Sequence, residues 1–131
     1  MKGLIKSLAF FTIFMLVSFL VAQASLYSEV GDVGNLPASA QSVIGTGIIS
    51  DIYGTLLNNN DVDMFKIYIY DPENFYALTI NDDTTVSDTQ LFLFDENGYG
   101  ILGNDDYYDT FRSYLSSFDG EPEIYFLAIP S

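Results

Sequence analysis

Cysteine, histidine and tryptophan are all absent from the 131 residues. Without His or Cys, neither a Ser-His-Asp nor a Cys-His catalytic arrangement can be assembled. The same absence removes a disulfide framework, a thiolate metal site and a cysteine nucleophile. No Ser-x-x-Lys or Asp-Thr-Gly stretch offers another nucleophile. Basic residues are nearly as scarce: four Lys and Arg stand against 18 Asp and Glu, for a net charge of −14. Lys2 and Lys6 precede every acid, so the chain beyond residue 24 is more negative still. A field of that sign repels phosphate backbones and argues against nucleic-acid binding. It also disfavours docking on anionic lipid, and it attracts divalent cations and basic surfaces.

Aromatic side chains are abundant, with 11 Phe and 10 Tyr. A disordered acidic tail lacks them, and they favour the pleated surface of strands. Lys2 and Lys6 form a positive n-region ahead of the 15-residue run Leu8–Ala22, and Ala22-Gln23-Ala24 has small residues where a signal peptidase reads. The run is short of the roughly 20 residues of a spanning helix. Residues 1–24 therefore read as a cleaved signal helix, with an uncleaved signal anchor as the alternative. This places the chain outside the cytoplasm: extracellular, at the cell surface or in the periplasm. A cysteine-free exported chain is ordinary for bacteria.

Residues 25–40, rich in Gly, Ser and acids, read as an irregular acidic arm. The remainder, 41–131, reads as one all-β domain, an antiparallel β-sandwich or jelly roll. Ser42–Leu57 predicts two short strands bent at Gly45, Gly47 and Gly54. Met64–Tyr70 is the clearest strand, with Phe65, Ile67 and Ile69 on one face and Lys66, Tyr68 and Tyr70 on the other. Asp71–Asn74 predicts a turn, and Phe75–Ile80 a strand returning as its hairpin partner. Asn81–Asp88 predicts a polar loop. Leu91–Phe94 and Ile124–Ile129, apolar at every position or nearly so, predict central strands. Asp95–Gly98 is a turn signal, Tyr99–Leu102 a returning strand, and Asn104–Asp109 an acidic loop. Thr110–Phe118 is open between strand and one helical turn.

Asn60-Asp61-Val62-Asp63-Met64-Phe65-Lys66-Ile67 resembles the Asp-x-Asp-x-aromatic start of a strand in the bacterial pre-peptidase C-terminal domain family. Leu91–Gly98 followed by Asn104-Asp105-Asp106 is similar to that family's second signature, and Ile124–Ile129 to its closing strand. The resemblance covers about residues 29 to 129. It implies a compact, usually non-catalytic β-sandwich of secreted bacterial proteins, some of which bind calcium and some fibrous substrates. In those proteins the domain often follows a peptidase; here it directly follows the leader.

Three groups of side chains are candidate sites. Glu29, Asp32, Asp61 and Asp63 could gather the hard oxygens that calcium takes; the arm's part in this is what the resemblance suggests. The alternative is that Asp61 and Asp63 cap a turn and bond backbone N–H groups. Asp95, Asn97, Asp105 and Asp106 form a second acidic set, against the alternative of two solvated turns. Tyr68, Tyr70, Tyr76, Tyr99, Tyr107 and Tyr108 offer flat apolar faces with hydroxyls, suited to sugars or proteins, against ordinary packing on an outer sheet. Together these describe a non-enzymatic exported binding or accessory module, calcium-steadied, contacting an extracellular polymer, an envelope component or a partner protein. A structural acidic surface protein and a small two-carboxylate hydrolase are the alternatives.

Overall fold

A computed structural model describes residues 24–44, 47–80 and 88–131. The leader up to Gln23 and the polar loop up to Ser87 lie outside the described residues. Among the described residues, no helix is long and apolar enough to cross a membrane.

Nine strands carry the described fold, which is all-β. In chain order they are β1 Ala24–Ser28, β2 Gln41–Ser42, β3 Ile48–Tyr53, β4 Val62–Ile69, β5 Ala77–Leu78, β6 Leu91–Phe94, β7 Gly100–Asn104, β8 Tyr114–Leu115 and β9 Glu123–Pro130. One 3-10 turn, Pro72–Asn74, follows β4. Five strands form the main sheet in the order β2-β4-β9-β6-β7, and β1-β3 and β5-β8 form two small sheets.

The long antiparallel pair β4–β9 is the centre. Side chains of a strand alternate between faces, and the register sets Phe65 opposite Leu127 and Ile67 opposite Tyr125. Leu93 of β6 then falls opposite Leu127 on the other side. Phe65, Ile67, Ile69, Leu93, Tyr125 and Leu127 thus form one continuous buried face. Tyr27 of β1, Ile49 and Ile52 of β3, Val33, Val43 and Leu115 of β8 close over it. The opposite face carries a smaller cluster of Met64, Phe126 and Ala128, with Ala40, Val62, Phe92 and Phe94 against it. Two apolar faces explain why β6 and β9 lack clean polar alternation. Phe92 lies over Gly103 of β7, where a Cβ would stand 2.8 Å from its ring.

The pairing departs from expectation in several places. The sheets are mixed: β1–β3 and β2–β4 run parallel. The arm is not irregular at its start, because β1 continues the β3 ladder and sends Tyr27 into the core, edge-to-face with Phe65. Phe75–Ile80 is not the hairpin partner of β4. Pro72 is buried and its carbonyl accepts the N–H of Phe118 at 3.1 Å, while Phe75 meets the Phe118 ring edge-on. Burying Phe75 turns the chain out of the main sheet, and only β5 remains as strand, paired with β8. That pairing also resolves Thr110–Phe118, whose strand portion is Tyr114–Leu115. β7 begins one residue later than expected, at Gly100, and extends to Asn104.

Ser113 is 0% exposed just before β8. Its hydroxyl faces the carbonyls of Thr89 and Asp105, and its N–H donates to Thr79 Oγ1 at 2.8 Å. Thr89 Oγ1 donates to the same Thr79 oxygen at 2.7 Å. Ser113, through its hydroxyl and its N–H, therefore joins the segments flanking β5, β6, β7 and β8. We expect Ser113→Ala, which leaves buried carbonyls short of a donor, to cost about 1–3 kcal/mol. Urea unfolding measures this, with Ser116→Ala as an exposed control that should stay within about 0.5 kcal/mol.

Candidate metal centre

Asp63 lies two residues before Phe65, so strand alternation points its side chain to the core side of β4. It is 3% exposed, at the edge of the apolar face rather than in solvent. Asp61 is placed by the Asn58 turn: its N–H donates to Asn58 O at 3.0 Å. Its carboxylate accepts the N–H of Leu57 on Oδ2 at 2.5 Å and of Val62 on Oδ1 at 3.0 Å. Turn capping is thus real for Asp61.

The arm supplies the other two acids. Glu29 follows β1 and prolongs its ladder, donating its N–H to Tyr53 O at 2.9 Å. Its Oε1 accepts the N–H of Thr55 at 2.7 Å. The next residue is clamped by Gln41, which donates to Val30 O at 2.8 Å and accepts Val30 N–H at 2.9 Å. Gly31, with φ at 69°, then makes the turn that leads into Asp32.

Asp32, Asp61 and Asp63 each bring a carboxylate oxygen within 4.8 Å of the others. Glu29 joins them: its Oε2 and Asp63 Oδ2 both border Gly54. Burial first, then the charges of Glu29 and Asp61, push the Asp63 carboxyl up to about 7. Two oxygens in this cluster, Glu29 Oε2 and Asp63 Oδ1, are buried and find no donor. An orphaned buried carboxylate oxygen is costly, and a proton or a cation would serve both.

Gly54, which the sequence suggested only as a strand bend, borders the cluster. A Cβ there would stand 2.8 Å from Glu29 Oε2 and 3.4 Å from Asp63 Oδ2. A glycine directly after β3 was the available signal; the acids it would meet come from distant segments.

The second acidic set is not brought together. Asp95 and Asn97 sit at the β6–β7 hairpin tip, where Asp95 Oδ1 accepts the N–H groups of Asn97 at 2.9 Å and Tyr99 at 2.8 Å. Asp105 and Asp106 follow the far end of β7, about 15 Å away at roughly 3.3 Å per residue. A hairpin separates its tip from its open end, so proximity in sequence misled. At that open end the two aspartates meet Asp88, all three exposed.

The six tyrosines are exposed, but they do not form one surface. Tyr68 and Tyr70 meet at a tilt, 4.6 Å apart, near the end of β4, and Tyr68 donates its hydroxyl to Pro122 O at 3.0 Å. Tyr76 follows the 3-10 turn and Tyr99 sits at the hairpin tip. Tyr107 and Tyr108 meet edge-to-face at 4.5 Å and are joined by Tyr114 of β8, tilted at 4.8 Å from Tyr107. No family model, no curated protein and no solved structure matches the chain.

Proposed function

We propose that the chain is an exported, non-catalytic binding or accessory module, built as a β-sandwich, in which Glu29, Asp32, Asp61 and Asp63 hold one calcium ion. The observation that carries the ion is the pair of buried oxygens without donors, Glu29 Oε2 and Asp63 Oδ1. Four carboxylates from two distant segments leave a large uncompensated negative charge in a half-buried site. Every donor is a hard oxygen, which selects calcium or magnesium over softer transition metals. Calcium takes an irregular shell of six to eight oxygens, whereas magnesium demands a near-ideal octahedron. The mixed geometry, with Asp61 already held by two N–H groups, suits calcium better. The leader supports export, and the resemblance to pre-peptidase C-terminal domains supports an accessory role.

Calcium titration followed by thermal melting tests the reading. At 100 times the dissociation constant, binding should add about 2.7 kcal/mol. For a domain of this size that raises the melting temperature by roughly 10–20 °C. No shift at millimolar calcium refutes the ion site. Gly54→Ala intrudes on Glu29 Oε2 and should weaken calcium about 10- to 100-fold, the usual effect of disturbing a ligand's support.

A further inference from the structure

The loop after β7 is built around Asn104. Its side-chain amide donates to Asp106 O at 3.0 Å and its Oδ1 accepts the N–H of Tyr114 at 2.8 Å. Tyr107 N–H donates to Arg112 O at 2.7 Å, and Thr110 Oγ1 donates to Tyr107 O at 2.7 Å. This frame carries the Tyr108–Tyr107–Tyr114 cluster, one pair edge-to-face and the other tilted, on the outside of the fold. Tyr108 is 82% exposed and holds a left-handed φ of 56°, a conformation bulky residues avoid. Its ring gains almost no burial in return. Phe111, also exposed, extends the apolar surface. In the same loop cluster, Asp88, Asp105 and Asp106 bring their carboxylates within 4.8 Å of one another. The loop's own Arg112 makes no ion pair among the described residues.

We propose that the Tyr107–Tyr108–Tyr114 cluster, with Asp88, Asp105 and Asp106 beside it, receives an arginine-bearing segment of a partner protein. A guanidinium is planar and weakly hydrated, stacks on tyrosine faces and forks onto carboxylates. An ammonium satisfies the charge but does not stack in this way. The net charge of −14 steers such a segment toward the protein. The surface shares no residue with the ion cluster, so it stands or falls separately.

Isothermal titration of the full chain with a hexa-arginine peptide, in chelator at 0.15 M salt, tests it. Hexa-lysine and an uncharged hexasaccharide serve as comparison probes. Hexa-arginine should bind more tightly than hexa-lysine, and the sugar should not bind. Tyr108→Ala should weaken hexa-arginine about two- to fivefold, and Tyr108→Phe should not. Asp105→Asn with Asp106→Asn should weaken it further and flatten its salt dependence. Tyr76→Ala and Tyr99→Ala, which remove exposed rings elsewhere, should leave it unchanged. Asp63→Asn should bind the peptide as the parent chain does, so failure of the ion site leaves this result intact. Unchanged binding by Tyr108→Ala, an equal loss in Tyr76→Ala, or binding of the sugar in place of the peptide overturns the proposal.

Discussion

Asp63→Asn should stabilise the ion-free protein at pH 7.5 and at the same time abolish its response to calcium. The two effects have opposite signs because the parent carboxyl carries an ordinary value near 3.8 when unfolded and about 7 when folded. Between those values the folded state holds a proton that the unfolded chain releases. Stability from this group is therefore present at low pH and lost as pH rises from about 4 to about 7. Asparagine mimics the protonated, neutral form and removes that slope. The gain at neutral pH is on the order of 2 kcal/mol, less than the full shift implies because Asp32 leaves one side of the cluster open to water. With calcium present, the ion takes the place of the proton in the parent chain. Its affinity should then fall as pH drops below about 7, because proton and ion compete for the same oxygens. Melting curves across pH 4–8, with calcium and with chelator, separate these effects. Equal calcium shifts in parent and variant would remove Asp63 from the site.

Phe65→Ala should be the most damaging single change in the sheet. Phe65 is 2% exposed, opposite Leu127 on β9, beside Gln41 of β2, and edge-to-face with Tyr27 at 6.3 Å. Removing the ring empties the junction of the main sheet with β1. Such truncations cost about 3–5 kcal/mol, a large part of the 5–15 kcal/mol that typically holds a domain. The melting temperature should fall by about 15 °C or more. Calcium affinity should fall too, since Asp63 shares the strand and β1 leads directly to Glu29. Glu96→Ala at the exposed hairpin tip should change stability by no more than about 0.5 kcal/mol. Denaturant unfolding and calcium titration of both variants check this.

Part of the acidic cluster is legible in the sequence. Asp61 and Asp63 flank the start of an alternating strand, and Asp63 is in phase with Phe65, Ile67 and Ile69. Phase alone places its carboxylate on the core side. Glu29 and Asp32 could be named through the family resemblance, but bringing them to Asp63 requires β1 to pair in parallel with β3. The tyrosines behaved differently. Their exposure follows from the strand faces and turns, yet Tyr114 meets Tyr107 only because the loop folds back through Asn104, Thr110 and Arg112.

Local signals by themselves determined the all-β character, the strands β4, β6 and β9, the Asp95–Gly98 turn and the phase of Asp63. Period-two alternation and turn chemistry act over a few neighbouring residues, so they can be read along the chain. Tertiary structure alone decided the parallel pairings, the loss of the expected β4 hairpin, the separation of Asp95 from Asp105, and the placement of Gly54 against Glu29. Each depends on which distant segment buries against which, and burial is a property of the closed core. The two orphaned oxygens at Glu29 and Asp63 come from that same closure, which brings together acids 34 residues apart and buries both oxygens without a protein donor.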